Sequence, residues 1–252
     1  MCRKYSINTG TTTELTSHSY TKADNSVIVA TDSIKNTVYI LAKQYPVTPP
    51  ELFASILGSH FIQTYPHIHI AHATITTHRW SRLDIAGIPH PHSFIKDSEE
   101  TRTVQATVTE STGIDIITGI RGLTVLKSTN SQFWGFLRDE FTTLRETWDR
   151  VLSTDVAADW RWKRFRDLDD VFAHMSRFDA TWKAARDVTL RIFAEDNSAS
   201  VQNTMFKMAD EILEYQPLVE TVDYSLPNKH YFEIGVFLSP SFSYPSDDAN
   251  VL

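Results

Sequence analysis

The sequence has almost no cysteine, no long apolar run and no cluster of positive charge. Its one cysteine, Cys2, excludes an internal disulfide and a thiolate metal cluster, and favours a reducing compartment. Nowhere do the roughly 18 consecutive apolar residues of a membrane helix occur. Basic residues number 24 against 31 acidic ones, a net charge of −7 with mixed signs. Nothing therefore indicates binding to nucleic acid or to a membrane.

The chain is long and apolar enough to fold around a large core. It has 252 residues, of which 41% are hydrophobic, and this composition argues against disorder. The length fits one large domain or two of ordinary size.

The first 65 residues predict one weak strand, one buried strand and two helices. Residues 1–19 are polar and favour a frayed strand or hairpin at most, whereas residues 27–30 favour a buried strand. Residues 31–33 suit the cap of a first helix. Residues 48–51 combine a capping box with proline and predict a second helix ending near Tyr65. Its apolar stripe consists of Phe53, Ile56, Leu57 and Phe61.

The middle of the chain predicts antiparallel strands. Residues 67–83, 93–110 and 114–128 are β-rich, and the connections between them are too short for crossover helices. A β-rich stretch around residues 160–163 follows, then two amphipathic helices and a strand over residues 224–237. The helical stripes are Ala185, Val188 and Ile192, and then Val201, Met205, Met208 and Ile212.

The second half thus repeats the order of elements of the first half. The sequence predicts an α+β fold of two similar units, each a curved antiparallel sheet backed by two helices. We place the first domain at residues 1–111 and the second at residues 112–252.

Six histidines crowd into one region of the chain: His67, His69, His72, His78, His90 and His92. Two of them, His67 and His69, would share one face of a strand and could begin a metal site. No third ligand is specified, so ordinary hydrogen-bonded histidines are the simpler interpretation. A zinc enzyme remains an alternative.

Two predicted helix starts could face a ligand. Thr31 and Asp32 begin one helix, and Val201 and Gln202 begin another. The first amides of a helix have no partner within it and favour an anionic or polar ligand. A purely structural role as helix caps is the alternative.

Residues 123–150 carry the most specific pattern in the chain. They begin Leu-Thr-Val-Leu-Lys-Ser-Thr-Asn-Ser-Gln-Phe-Trp-Gly-Phe-Leu-Arg and end at Arg150. This segment resembles the signature of urate oxidase. Further similar stretches are residues 19–26, 30–37, 89–94, 200–202 and 226–230. The resemblance covers about residues 17–235 and lies close to the fungal branch.

The resemblance implies a fold and an assembly. It implies two tandem tunnelling-fold (T-fold) domains, which agrees with the two units above. Two subunits would close their sheets into a β-barrel, and two barrels would stack into a homotetramer. Each active site would combine groups from neighbouring subunits.

The resemblance also assigns roles to individual residues. Arg150 and Gln202 would grip the urate anion, Phe133 would stack on its ring, and Val201 would bind it through the backbone amide. Thr31 and Asp32 would close the site from another subunit, with Thr31 in a proton relay. Near the oxygen or water site would lie Asn228 and His230, with Thr31 and His230 as the catalytic pair.

The implied reaction oxidises urate with O2 and water to 5-hydroxyisourate and hydrogen peroxide, without a metal or other cofactor. Urate itself is the electron donor. The family implies a peroxisomal location, but the last residues are not Ser-Lys-Leu, so a cytoplasmic location is the alternative.

This sequence departs from the family pattern at both ends. The family carries an activating lysine on a first strand, and we expect that strand, like the family's final segment, to be missing or replaced here. Lys4, the only lysine before residue 19, does not align with the activating lysine. Beyond about Ile234 the resemblance is expected to end. A catalytically impaired purine-binding T-fold protein is therefore the alternative function.

Overall fold

The computed structural model describes residues 3–11 and 19–231. Its strands are β1 (Arg3–Thr11), β2 (Ile68–Ile85), β3 (Ile88–Thr109), β4 (Gly113–Lys127), β5 (Leu152–Trp162), β6 (Val219–Ser225) and β7 (Asn228–Lys229). Its helices are α1 (Thr31–Gln44), α2 (Pro50–Thr64), α3 (Leu168–Ala173), α4 (Met175–Glu195) and α5 (Val201–Tyr215). Within these residues, no helix is long and apolar enough to cross a membrane.

In the described part of the chain, the strands form one antiparallel sheet of seven strands. Their order is β1-β2-β3-β4-β5-β6, and β7 adds beside one end of β5. The predicted α+β class with an antiparallel sheet is confirmed. The sheets of the two predicted units are continuous, because β3 pairs with β4 over the full register from Thr101 to Thr109. The boundary at residue 111 falls in the turn between them, and the division into two domains stays a prediction.

The helices cover one face of this sheet. Alternate side chains along the strands point into the core, including Ile75, Val104, Ile116 and Trp160, all without exposed surface. They join residues of α2, α4 and α5 in one hydrophobic cluster that spans both halves of the chain. The opposite face carries polar, partly exposed side chains such as Gln105 and the Arg121–Asp159 ion pair.

Helix α2 is buried on nearly all sides, which goes beyond the predicted stripe. The predicted capping box is wrong: Pro49 is the N-cap and no side chain caps the helix. Glu51 instead enters the core, where its carboxylate accepts from Arg102 at 2.7 Å and from Thr118 at 2.7 Å. Arg102 also donates to Asp179 on α4 at 2.6 Å, so one ionic group ties β3 to two helices.

The beginning of the chain differs from prediction in two ways. Residues 3–11 form a full strand, β1, which pairs with β2 from Arg3 opposite Thr77 to Thr11 opposite Ile68. Residues 27–30 are not a strand, and Ile28 is 42% exposed. Four apolar residues make a strand only where a neighbouring strand pairs with them, and here α1 begins directly at Thr31 instead.

The end of the described chain also differs. The strand predicted over residues 224–237 is two strands, β6 ending at Ser225 and β7 at Asn228–Lys229, and residues 232–237 lie outside the described residues. Pro227 explains the break, because proline lacks the amide that a ladder needs. Helix α3 was not predicted. It has one capping carboxylate, since Asp167 accepts from the Asp170 amide at 2.8 Å.

Strands β2 and β3 continue beyond the core as a long hairpin, the β2–β3 arm (residues 78–100). Its turn is Ala86–Gly87, both with positive φ, as a tight two-residue hairpin requires. Arg82 holds the arm by stacking on Phe94, 4.6 Å from the ring centroid, and by donating to two carbonyls across the arm. The arm's apolar side chains Ile85, Ile88, Phe94 and Ile95 are nevertheless exposed.

Tyr224 on β6 should make the fold less stable at alkaline pH. Burial raises its pKa to about 12, against about 10 in an unfolded chain. A phenol whose pKa is higher in the folded than in the unfolded chain makes its full contribution to the free energy of unfolding below the unfolded-state pKa. That contribution is lost as the pH rises from the unfolded-state pKa to the folded-state pKa, because the unfolded chain ionises first. We expect the free energy of unfolding to fall between pH 10 and pH 12, and to fall less in Tyr224→Phe. Chemical denaturation at each pH measures this, with the exposed Tyr215→Phe as control.

A steeper or unchanged alkaline decline in Tyr224→Phe relative to Tyr215→Phe would contradict this. The variant also loses the 2.6 Å hydrogen bond between the Tyr224 hydroxyl and Thr189, so it should be slightly less stable at neutral pH.

Candidate active site

The signature segment after β4 is irregular but firmly anchored. Phe133 and Thr147 exchange two backbone hydrogen bonds of 2.8 and 2.9 Å across the segment. The Gln132 amide donates to the Ser198 carbonyl at 2.8 Å, and the Ser198 amide donates to the Asn130 carbonyl at 3.0 Å. The segment is thereby bound to the loop that leads into α5. The signature segment and the start of α5 together carry four predicted site residues: Phe133, Arg150, Val201 and Gln202.

Arg150 lies next to Phe133 without an acidic partner. Its guanidinium carbon is 5.4 Å from the Phe133 ring centroid, and its Nε donates to the Ser131 hydroxyl at 3.4 Å. No carboxylate of the described residues forms an ion pair with it. Burial lowers the pKa of Arg150, yet an arginine stays charged at any physiological pH. A half-buried cation without a counter-charge is a site for an anion.

One face of Phe133 is already covered. Its ring stacks on Phe136 with centroids 4.8 Å apart and planes inclined by 13°. Phe133 is partly exposed, not part of the core cluster. A planar ligand could therefore use only the free part of the ring.

Helix α5 presents its N-terminus in the same region. Ser200 is the N-cap and accepts from the Asn203 amide at 3.4 Å, so the amides of Val201 and Gln202 precede the first helical hydrogen bonds. The Ser200 hydroxyl donates to the Gln202 side-chain oxygen at 3.0 Å. The Gln202 amide group is thus oriented, and its NH2 is available to an acceptor.

Asn228 and the nearby His230 lie beside the first residues of β5, at the end of the sheet where β4 ends with Lys127. Strand β7 pairs Asn228 with Thr154 of β5, and the Asn228 side-chain nitrogen is 3.3 Å from His230 Nδ1. Beneath them Ser153 and Thr154 bury hydroxyls that have no hydrogen-bond partner among the described residues. The residue pattern gave no signal for these two hydroxyls.

Thr31 and Asp32 are not brought to this region within one chain. They are the first two residues of α1, whose N-cap is Ala30, so their predicted role as caps is wrong. Asp32 is exposed and bonds to Lys35 at 2.9 Å and Asn36 at 3.0 Å. Lys35 lowers the pKa of Asp32, which keeps it ionised. The described contacts of Asp32 stay within its own helix.

The six histidines do not form one cluster, although the rings of His90 and His92 lie 4.6 Å apart. His69 bonds to Glu110 at 2.6 Å and His72 to Thr107 at 2.9 Å. The prediction that His67 and His69 share one face of a strand is wrong, because His67 precedes β2. Among residues 3–11 and 19–231, no group of three or more His, Cys, Asp or Glu side chains could hold a metal ion.

The family model described as Uricase matches residues 8–107 and 116–251. The chain belongs to the uricase family. The match begins before residue 17 and continues past Ile234, so the uricase pattern extends further in both directions than the sequence motifs indicated.

Individual uricases are similar over most of this chain. The uricase of Aspergillus flavus is 72% identical over 218 residues, which cover 86% of this chain and 72% of that protein. The uricase of Emericella nidulans is 67% identical, with 92% of this chain and 77% of that protein covered. The crystal structure of the uricase from Arthrobacter globiformis has a TM-score of 0.79 and 36% identity, covering 92% of this chain and 76% of that one. The predicted nearness to fungal uricases is confirmed.

Lys127 contacts the loop of the candidate site, and the motif analysis did not single it out. Its ammonium donates to the Asp196 carbonyl and the Ser198 hydroxyl, both at 2.8 Å, and so holds the loop before α5. It lies inside the signature segment, which was the available signal. Burial lowers its pKa, although nearby Asp196 opposes this.

Lys127→Met should loosen that loop. Two hydrogen bonds from a charged donor are lost, so we expect unfolding to become easier by about 1–3 kcal/mol. We also expect a higher KM for urate, because the α5 amides and Gln202 lose their fixed position. Thermal unfolding and steady-state kinetics measure the two effects, with Lys43→Gln as a surface control. An unchanged KM would show that Lys127 does not contribute to urate binding.

Proposed function

We propose that this chain oxidises urate with O2 and water to 5-hydroxyisourate and hydrogen peroxide, using the Arg150 site to bind the urate anion. The observation that carries this proposal is the half-buried Arg150, which has no acidic partner in the described chain and lies beside Phe133 and close to the start of α5. Membership of the uricase family supports the identity of the anion.

The chemistry of the four residues suits a planar purine anion. Arg150 offers parallel donors to a deprotonated nitrogen and a carbonyl, and Gln202 offers a donor and an acceptor to an opposite edge. The Val201 amide adds a donor at a helix N-terminus, where negative charge is favoured. Phe133 supplies a ring for stacking.

The electrons and protons of the reaction balance without another reactant. Urate loses two electrons and two protons, O2 gains both to become hydrogen peroxide, and water adds to the oxidised ring to give 5-hydroxyisourate. The protein's share is to position the reactants and move protons. We assign Thr31 to the proton relay and Asn228 and His230 to the oxygen or water site. Asp32 would close the site beside Thr31.

We further propose a homotetramer in which Thr31 and Asp32 come from a neighbouring subunit. The partly exposed polar face of the sheet, and the exposed apolar side chains of the β2–β3 arm, support burial against another copy. The outer edges of β1 and β6 have no strand partner among the described residues, and closure into a barrel would pair them. The domain division at residue 111 and the cellular compartment stay predictions.

Urate turnover by the purified chain is the direct test. The near-ultraviolet absorbance of urate should fall while O2 is consumed and hydrogen peroxide appears in equal amounts. If urate binds without being oxidised, the purine-binding alternative replaces catalysis, and absence of both binding and turnover rejects the site.

Mixed subunits test the shared site. Thr31→Val and Arg150→Gln should each be almost inactive alone. Coexpressed, they should recover about a quarter of the wild-type activity, because half the random pairs are mixed and each mixed pair has one intact site.

The control for this complementation is Gln202→Leu coexpressed with Arg150→Gln. Both residues belong to the same side of the proposed site, so no intact site can form. Recovery in the control, or none with Thr31→Val, would place the residues differently from our proposal.

A further inference from the structure

Two buried serines connect the two pieces of chain that carry the proposed urate-binding residues. Ser131 lies in the signature segment, and Ser198 lies two residues before the N-cap of α5. They pair in a parallel bridge, and its backbone hydrogen bonds of 2.8 and 3.0 Å lie on either side of Ser131. The Ser131 hydroxyl also accepts from Arg150 Nε. The bridge therefore sets how far the guanidinium lies from the start of α5.

Thr204, the fourth residue of α5, holds the Ser198 side of this bridge. Its hydroxyl donates to the Asp196 carboxylate at 2.7 Å and lies 3.0 Å from the Ser198 hydroxyl. The same hydroxyl lies 3.2 Å from the Ser200 carbonyl. Thr204 is 1% exposed, so solvent does not compete for these contacts. One side chain thus holds the loop before α5 against the first turn of the helix.

The carboxylate that accepts from Thr204 is itself held in place. Asp196 also accepts from Lys207 at 2.6 Å, and its side chain is 13% exposed. Burial alone would raise the pKa of Asp196, but Lys207, Thr204 and the nearby Lys127 lower it overall, so the carboxylate is ionised at neutral pH. Hydrogen bonds to an ionised acceptor are roughly twice as strong as those between neutral groups. The contact from Thr204 is therefore a strong one.

The first turn of α5 carries the second set of groups proposed to bind urate. The amides of Val201 and Gln202 precede the first helical hydrogen bonds, and the Gln202 side chain is oriented by Ser200. A planar anion that is bound by Arg150 at one edge and by α5 at another needs both at the correct separation. Small displacements of one piece relative to the other should therefore weaken binding.

We propose that Thr204 is a positioning residue for urate binding, which acts through Ser198 to set the separation between Arg150 and the start of α5. This inference rests on the proposed function, because it concerns the same anion site. Thr204 itself contacts neither the substrate nor the reacting atoms.

Thr204→Val tests this inference, because it replaces the hydroxyl by a methyl group and keeps the branched Cβ. It should raise the Kd of urate about tenfold, as one strong hydrogen bond is lost. Calorimetric titration without O2 measures this Kd in the absence of turnover. In steady-state assays KM should rise in parallel, whereas kcat should change by less than about threefold, because the variant leaves Asn228 and His230 unaltered. Thr204→Ser restores the hydroxyl and should return Kd to within about twofold of wild type.

Thr181→Val is the matched control for loss of a buried threonine hydroxyl. Thr181 is fully buried on α4 and accepts from Gln216 at 3.1 Å, beyond the opposite end of α5. This variant should lower the melting temperature about as much as Thr204→Val but change the Kd of urate by less than about twofold. An equal loss of urate affinity in Thr181→Val, or no recovery in Thr204→Ser, would indicate general destabilisation and overturn the inference.

Amide hydrogen exchange tests the same role without any ligand. Residues 197–203 should exchange faster in Thr204→Val than in wild type or in Thr181→Val, because the loop is less firmly held. If wild type binds no urate, the proposed function fails and this inference fails with it. If wild type binds urate but Thr204→Val changes neither the exchange nor the Kd, the inference alone is overturned.

Discussion

Arg150→Gln should lower kcat/KM for urate by about 100- to 1,000-fold. Removing the charged partner of a buried ionic contact costs about 2–5 kcal/mol, and each 1.4 kcal/mol is tenfold. The guanidinium has no acidic partner among the described residues that could compensate, and Ser131 is its one described hydrogen-bond acceptor. The loss should fall on both KM and kcat if the charge stabilises the urate anion and the more anionic transition state. Initial rates across a range of urate concentrations give both constants.

Two variants make the result for Arg150 specific. Arg150→Lys keeps the charge but loses the planar pair of donors, so its activity should lie between wild type and Arg150→Gln. Arg145→Gln removes an exposed arginine of the same segment and should change kcat/KM by less than about twofold. A comparable loss in Arg145→Gln would mean that the segment as a whole, and not the anion contact, is disturbed.

Arg102→Met should destabilise the fold by about 3–5 kcal/mol, because it leaves the fully buried Glu51 carboxylate without its cation. Burial alone would lower the pKa of Arg102, but Glu51 and Asp179 together raise it above its usual range. Thr118 would remain the one described side chain donating to Glu51, and it also accepts from Trp162 at 3.1 Å. Thermal unfolding at fixed protein concentration measures the loss.

The double variant Glu51→Gln with Arg102→Met should recover a large part of that stability. It removes both charges, and an uncharged pair of similar volume is often tolerated in a core. The exposed pair of Arg191 and Glu211 is the matched control, and Arg191→Met should cost at most about 1 kcal/mol. If the double variant is no more stable than Arg102→Met, packing and not the unpaired charge explains the loss.

The sequence predicted best those elements in which apolar residues recur with a clear helical period. Helices α2, α4 and α5 were predicted because apolar residues recur on one face, and Phe53, Ala185 and Met208 are indeed buried. Residues 27–30 show the limit, since an apolar run predicts a strand only when a partner strand is near. Glu51 shows another limit, because a capping pattern cannot reveal that the carboxylate has a buried arginine 51 residues away in the chain.

In the candidate site, too, residues in a recognisable motif could be predicted, whereas contacts made only in the folded chain could not. Phe133 and Arg150 could be selected because they lie in a long and specific motif. The bridges from that segment to Ser198 could not, because they are backbone hydrogen bonds that carry no residue signature. Lys127 and Ser131 act through their side chains and were overlooked because their roles depend on where their partners lie in space.

The β2–β3 arm has a consequence for how the enzyme responds to dilution. Its outer part exposes Ile85, Ile88, Phe94 and Ile95, and in the proposed tetramer a neighbouring copy would cover these side chains. Stabilisation by association depends on concentration through mass action. Activity per chain and the melting temperature should therefore both fall as the protein is diluted, with the arm exchanging its amide hydrogens first.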